Sequence, residues 1–97
     1  MSKLPDYDVI VWLYFNDFGK KLAEEILSSV DIIPYESFES DGVLDMHWGF
    51  DTWDEAVYFS KKFKGFINNP NLIFLKASNL KNIGASIVYK DERMKNG

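Results

Sequence analysis

The chain has 97 residues and a net charge of −4 at pH 7, and 46% of its residues are hydrophobic, which is typical of one domain with a single core and argues against disorder. The absence of cysteine excludes disulfide bridges and thiolate metal sites. No apolar run approaches the length of a membrane span and the amino terminus does not resemble a signal peptide, so the sequence predicts a cytoplasmic protein that does not enter membranes.

The charge is distributed unevenly along the chain. Residues 1–60 contain thirteen acidic residues and three lysines, whereas residues 61–97 contain eight basic residues and two acidic ones. Two interpretations remain open. Either both halves form surfaces of mixed charge, or the first half forms an acidic face that repels nucleic acid and attracts basic partners.

The first predicted element is a strand over Tyr7–Phe15. It is almost entirely apolar and rich in β-branched and aromatic residues, which is typical of a central strand. Alternate residues of a strand point to opposite sides of the sheet. We expect the aliphatic odd-numbered residues to face the helices, and the even-numbered ones to face the other side. The odd set is Val9, Val11 and Leu13, and the even set is Ile10, Trp12 and Tyr14.

A helix is predicted next, capped by Asn16 or Asp17 and running to about Val30. Apolar residues recur at steps of three and four along it and predict one buried stripe. The stripe comprises Phe18, Leu22, Ala23, Ile26, Leu27 and Val30.

A β-hairpin is predicted over residues 35–48, with Asp41 and Gly42 as a two-residue type I′ turn. This turn places Glu36 opposite His47 and Phe38 opposite Asp45. The register divides the hairpin into two faces. We expect the helices to cover Tyr35, Leu44, Met46 and Trp48, and the other face to carry Glu36, Phe38, Val43, Asp45 and His47.

The second helix is the clearest element and is predicted over residues 51–68. Thr52 and Glu55 have the spacing of a capping box, and Asn68, Asn69 and Pro70 end the helix. Its apolar stripe comprises Ala56, Phe59, Phe63, Phe66 and Ile67, widened by Trp53 and Val57. Strands are predicted over residues 71–77 and 85–90, separated by a loop over 78–84, and residues 91–97 are predicted to form a disordered tail.

This element order predicts an α+β fold, in which residues 1–97 form a single domain. The order β-α-β-β-α-β resembles the ferredoxin-like layout, with one antiparallel sheet, two helices on one face and an extra carboxyl-terminal strand. The first and third strands are expected in the middle, and the second and fourth at the edges. The resemblance concerns layout alone, and this layout hosts enzymes, RNA-binding proteins and inhibitors alike.

No sequence motif indicates a cofactor or a metal. The segment from Asp41 to Asp45 lacks the alternating carboxylates of an EF-hand loop, and the glycines do not form a phosphate-binding pattern. His47 stands across from Glu36 and two residues from Asp45, which allows a general base or a metal ligand. The sequence shows no nucleophile beside it, and the favoured interpretation is a cross-strand surface contact.

The side of the sheet without helices is predicted to carry an aromatic patch that includes Trp12, Tyr14 and Phe38. Such a patch can stack RNA bases, but the neighbouring carboxylates would repel phosphates, so no binding of nucleic acid is expected. Two interpretations remain. The patch forms a protein interface, either with a partner or in a homodimer, or the carboxyl-terminal segment folds over it.

The favoured function is therefore a non-enzymatic protein-binding module, most simply a small acidic inhibitor that docks on a basic site of a partner. An immunity protein that blocks a toxin and a phage protein that blocks a host nuclease are examples of this class. The partner-binding residues are predicted to be Trp12, Tyr14, Glu36, Phe38, Glu39, Asp41, Asp45 and His47. The alternative is a dimeric α/β barrel that binds a small molecule or acts as a cofactor-free oxygenase or isomerase through His47.

Overall fold

A computed structural model describes residues 5–81 and 86–93 of the chain. The fold is α+β, with one antiparallel five-stranded sheet and two helices. The elements are β1 (Tyr7–Tyr14), α1 (Asp17–Ser29), β2 (Glu36–Ser40), β3 (Val43–Phe50), α2 (Trp53–Lys61), β4 (Leu72–Asn79) and β5 (Ser86–Asp91). A 3₁₀ segment, Lys62–Phe66, follows α2 directly.

The strands lie in the order β2-β3-β1-β4-β5, and every pairing is antiparallel. β1 and β3 occupy the interior and β2 lies at an edge, as predicted. The prediction that strand four lies at the other edge is wrong, because β5 pairs with β4 on its outer side. Of the predicted loop over 78–84, residues 82–84 lie outside the described residues.

The alternation of β1 positions the core as predicted. Val9, Val11 and Leu13 are fully buried, and they form one cluster with buried residues of both helices. From α1 this cluster takes Leu22, Ala23 and Ile26, and from α2 and the segment after it Ala56, Phe59 and Phe63. Both helices therefore lie against the same face of the sheet, which we call the covered face, and the opposite side is the open face.

The buried stripe of α1 is narrower than predicted. Asn16 caps it, since its Oδ1 accepts the Gly19 N–H at 2.8 Å. Gly19 lies so close to β1 that a Cβ there would be 1.6 Å from the carbonyl oxygen of Tyr14. This approach turns the face of positions 19, 22, 23 and 26 toward the sheet. Phe18 and Leu27, predicted to be buried, therefore lie on the flanks and are 73% and 44% exposed.

The hairpin has the predicted turn and register. Asp41 and Gly42 both have positive φ, 53° and 78°, as a type I′ turn requires. Glu36 pairs with His47 and Phe38 with Asp45. His47 and Asp45 of β3 also pair with even-numbered residues of β1, so these side chains all share the open face.

The predicted cap of α2 is confirmed, but its predicted length is wrong. Thr52 Oγ1 accepts the Glu55 N–H at 3.2 Å and donates its own proton to Glu55 Oε1 at 2.9 Å. The α-helix ends at Lys61 and tightens into the 3₁₀ segment. The Lys90 ammonium, from β5, donates to the carbonyls of Ile67 at 2.7 Å and Asn69 at 3.0 Å. A cation near the carboxyl end of a helical segment interacts favourably with the last carbonyl oxygens, which lack partners inside the helix.

Part of the predicted tail belongs to the sheet. Asp91 is the last residue of β5 and pairs with Phe74, and the side chain of Arg93 lies on the open face. Residues 94–97 lie outside the described residues. Within 5–81 and 86–93, neither helix has the length and apolar character needed to cross a membrane.

Candidate binding surface on the open sheet face

One row of side chains crosses all five strands on the open face. It runs through Phe38, Asp45, Trp12, Phe74 and Asp91, each paired with the next across neighbouring strands. We call it the aromatic row. Trp12 lies at its centre on β1, with an aromatic residue and a carboxylate on each side.

The side of the aromatic row toward β5 is occupied by Arg93. The guanidinium lies 4.0 Å from the centre of the Phe74 ring and 5.2 Å from that of Trp12. It also donates two hydrogen bonds to Asp91, from Nε to Oδ1 at 2.9 Å and from Nη2 to Oδ2 at 2.8 Å. These bonds lower the pKa of the Asp91 carboxyl. A cation stacked on two rings and held by one carboxylate therefore covers Phe74, which is 3% exposed.

The side of the row toward β2 is open. A groove of about 300 Å³ lies there, which we call the hairpin groove. Its lining consists of Trp12, Phe38, Ser40, Asp41, Val43 and Asp45. Phe38 is 49% exposed at the strand edge. The groove therefore combines two aromatic walls with two carboxylates, and its lining contains no basic side chain.

His47 lies next to the groove between two carboxylates. Its Nδ1 is 3.1 Å from Asp8 Oδ2, and its Nε2 is 2.8 Å from Asp45 Oδ1. The first contact is a hydrogen bond, whereas the second is a close ion pair without hydrogen-bond geometry. A neutral imidazole carries only one N–H, so two carboxylate partners favour the protonated ring.

The electrostatics of this cluster follow from its packing. The hydrogen bond to Asp8 raises the pKa of His47, burial opposes that change, and the charge of Asp45 adds to it. Tyr35 donates its hydroxyl to Asp8 Oδ2 at 3.1 Å. Burial and then the charge of Asp8 raise the pKa of the Tyr35 phenol. The two carboxylates of the cluster therefore favour the positively charged form of His47.

Tyr35 does not lie on the face predicted for it. Its side chain contacts Asp8 and His47 on the open face, with the Tyr35 and His47 ring centres 6.0 Å apart. The reason is local. The Tyr35 N–H donates to the carbonyl of His47 although Glu36 is the residue paired with His47. Tyr35 lies in a bend before β2, so the strict alternation assumed from the sequence does not extend to it.

Three buried polar atoms on the open face have no hydrogen-bond partner among the described residues. They are Asp8 Oδ1, Trp12 Nε1 and Asp45 Oδ1, the last of which contacts His47 only as an ion pair. Asp8 is only 2% exposed. An unsatisfied buried polar group costs about 1–3 kcal/mol, so such groups are rare away from positions with a specific role.

The structure brings some predicted site residues together and separates others. The hairpin groove contains Trp12, Phe38, Asp41 and Asp45, and His47 contacts its edge through Asp45. Tyr14 lines a different groove, of about 240 Å³, beside Arg93. Glu36 shares the open face, whereas Glu39 belongs to the opposite side of β2 and accepts the Gly42 N–H at 3.2 Å. The predicted acidic surface is therefore divided between two sides of the hairpin.

Sequence reasoning missed Phe74 and Arg93 of this surface and placed Tyr35 on the wrong face. The even-numbered position of Asp8 in β1 assigns it to the open face with Trp12, but its contact with His47 was not predicted. Phe74 could be placed only by knowing how β4 pairs with β1. No local pattern marks Arg93, because its position depends on how far β5 extends.

The arrangement offers little to catalysis. Both ring nitrogens of His47 contact carboxylates, so neither is free to remove a proton from a substrate. In the part of the chain that the structure describes, no three His, Cys, Asp or Glu side chains are arranged to hold a metal ion. Comparison with protein-family models, curated proteins and solved structures gives no match.

Proposed function

We propose that this chain is a non-enzymatic protein-binding domain that docks through its open sheet face on a basic surface of a partner in the cytoplasm. The observation that carries the proposal is the hairpin groove, where aromatic walls and carboxylates meet on an accessible surface. The proposal includes a ferredoxin-like layout extended by a fifth strand. The order of the first four strands, β2-β3-β1-β4, supports that layout.

The charge of the hairpin region supports a basic partner. Residues 31–60 contain eight acidic residues and no lysine or arginine. Such a region attracts a positively charged surface over a distance and raises the rate of association. A partner whose cations normally bind phosphate would lose access to its ligand. This is the physical basis for assigning the chain to the acidic inhibitors, of the immunity or anti-defence kind.

The aromatic side chains support an interface that excludes water. Exposed aromatic residues in the centre of a surface patch are frequent anchors of protein interfaces. Phe38 is exposed at the edge strand, and Trp12 is half-buried beside it. We therefore expect Phe38 to contribute to affinity, and the surrounding carboxylates to contribute to the rate of encounter.

The first experiment is affinity capture from the native host with the wild-type chain and two matched variants. Phe38→Ala removes the exposed ring from the groove, whereas Phe18→Ala removes an exposed ring from α1 on the other side of the molecule. The specific partner should be captured by wild type and Phe18→Ala, reduced with Phe38→Ala, and released in 1 M salt. Equal capture by all three chains would contradict docking through the open face.

The second experiment measures association and dissociation rates with the purified partner. Asp41→Lys and Glu39→Lys, near the turn, should slow association, whereas Asp45→Asn should mainly speed dissociation because Asp45 is largely buried. Association should slow as the Debye length shrinks from about 10 Å at 0.1 M salt to about 3 Å at 1 M. Glu24→Lys on α1 is the control. An association rate that ignores both salt and Asp41→Lys would rule out electrostatic recognition.

A further inference from the structure

We propose that the hairpin groove is a recognition site for the guanidinium group of an arginine side chain on the partner. This inference rests on the proposed function, and it names the chemical group that enters the groove. The inference has two grounds. The aromatic row already holds the guanidinium of Arg93, and the lining of the hairpin groove is acidic.

The two sides of Trp12 contain the same chemical components. On one side, Trp12, Phe74 and the carboxylate of Asp91 hold Arg93. On the other side, Trp12, Phe38 and the carboxylate of Asp45 line the groove. The order of the components differs: Phe74 lies between Trp12 and Asp91, whereas Asp45 lies between Trp12 and Phe38. The occupied side thus shows that one ring and one carboxylate beside Trp12 hold a guanidinium.

Charge complementarity identifies the occupant as a cation. Asp41 and Asp45 both line the groove, and Glu36, which lies two residues before Phe38 on β2, is also acidic. Two cationic groups of the described residues lie next to the groove, and both already have carboxylate partners: His47 contacts Asp8 and Asp45, and Arg93, on the other side of Trp12, contacts Asp91. An entering guanidinium would place its charge between Asp41 and Asp45.

Geometry favours arginine over lysine. A guanidinium is planar, so it can stack on an aromatic face while its edge donates two hydrogen bonds to a carboxylate. Arg93 does both at once with Phe74 and Asp91. A volume of about 300 Å³ is at the lower end of small-ligand sites, which suits one side chain. The groove also ends at the edge strand β2, so an extended partner segment can reach it.

The test is a nuclear magnetic resonance titration of the full chain with a blocked glycyl-arginyl-glycine peptide. The indole N–H signal of Trp12, assigned with Trp12→Phe, should move progressively as the peptide is added. The indole N–H of Trp48 serves as an internal control, because it is buried and donates to the carbonyl of Ile32 at 2.8 Å. The same peptide with citrulline, which is neutral and nearly isosteric, should move the Trp12 signal far less.

Variants locate the site. Phe38→Ala should weaken binding of the arginine peptide by about threefold or more, as expected for loss of one stacking surface. Asp41→Asn should weaken it too, and Phe18→Ala should leave it unchanged. The inference is overturned if the Trp12 signal ignores the arginine peptide, if citrulline acts equally well, or if Phe38→Ala binds like wild type.

The outcomes separate this inference from the proposed function. A partner whose capture depends on Phe38, together with a Trp12 signal that ignores the arginine peptide, would leave the binding function intact and refute the arginine site. Conversely, arginine binding without any partner whose capture depends on Phe38 would establish the site and refute the proposed function.

Discussion

The eight residues of β1 alternate between two faces of the sheet, and these faces differ in chemistry. The covered face carries Val9, Val11 and Leu13, which are fully buried in one apolar cluster. The open face carries Asp8 and Trp12, each with a buried polar atom that lacks a hydrogen-bond partner among the described residues. At these positions the covered face of β1 carries only apolar side chains, whereas the open face carries a buried carboxylate and a half-buried indole.

This difference indicates a division of roles within the sheet. Apolar burial on the covered face supplies stability, since each fully buried large side chain contributes about 1.5–3 kcal/mol. Buried carboxylates and an unpaired indole N–H reduce stability unless something binds them. The groups on the open face are those to which we assigned the proposed recognition. Four experiments test this division of roles, and they follow in order of decreasing expected effect.

The largest effect is expected from Phe63→Ala on the covered side. Phe63 is fully buried and packs on Trp48 and Phe59, with ring centres 5.5 Å and 5.3 Å away. Its removal should lower the free energy of unfolding by about 3–5 kcal/mol. The matched open-face variant Phe38→Ala should cost about 0.5 kcal/mol or less. Urea denaturation measures both, and similar losses would erase the proposed division of roles.

A smaller loss is expected where α1 approaches β1. In Gly19→Ala the new methyl group would meet the Tyr14 carbonyl, so the helix must shift, at a cost of about 1–3 kcal/mol. Gly65 offers a matched control, since a Cβ there meets nothing within 4 Å and Gly65→Ala should stay within about 0.5 kcal/mol. Thermal unfolding of both variants tests the close approach. A tolerated Gly19→Ala would show that α1 packs less tightly than described.

The third experiment concerns the pH dependence of the histidine cluster. Because the pKa of His47 is raised above its usual value of about 6.5, its contribution to stability is fully present below that pH. The contribution is lost as the pH rises through the folded-state pKa. The difference in unfolding free energy between wild type and His47→Gln should therefore shrink as the pH rises above about 6.5 and through the raised folded-state pKa of His47.

The control for this experiment is Asp8→Asn, which removes the largest cause of the raised pKa. In that background the pH dependence attributed to His47 should become smaller. Asp45, Glu36 and Tyr35 also face the imidazole and stay unchanged in both chains. A difference between wild type and His47→Gln that is constant across the pH range would show that His47 does not hold a proton in the way its contacts indicate.

The smallest effect is expected for self-association through the open face. Two copies would bring their acidic hairpins together, so any dimer should be weak and should increase with salt as the repulsion is screened. Association with a basic partner has the opposite dependence. Sedimentation at micromolar concentration in low and high salt distinguishes the two, with Phe38→Glu as the variant that abolishes pairing. A stable dimer in low salt that Phe38→Glu leaves intact would indicate a different interface.

Much of the fold could be predicted because it depends on local patterns. Alternation in β1 identified the buried residues, and the Asp41-Gly42 turn set the hairpin register. Predictions failed where a local rule was overridden by contacts. Gly19 turned α1 so that Phe18 remained exposed, and the bend before β2 placed Tyr35 on the open face.

The candidate site was less predictable because it depends on pairings between distant strands. The sequence identified Phe38, Asp45 and His47 as one hairpin face, which needs only a local register. The contact of His47 with Asp8 requires the register of β1 against β3, and the cover of Phe74 by Arg93 requires that of β4 against β5. No turn or periodicity in the sequence encodes those two registers.

The exposed edge of β2 also affects how copies of this chain can associate with one another. All five of its residues are exposed, and its backbone has a free side in the described sheet. Edges of this kind invite other strands to add, and charged side chains are a common protection against it. Glu36 and Glu39 place one charge on each side of the strand. The carboxylates of the proposed interface would thus also keep copies of the chain from pairing along this edge.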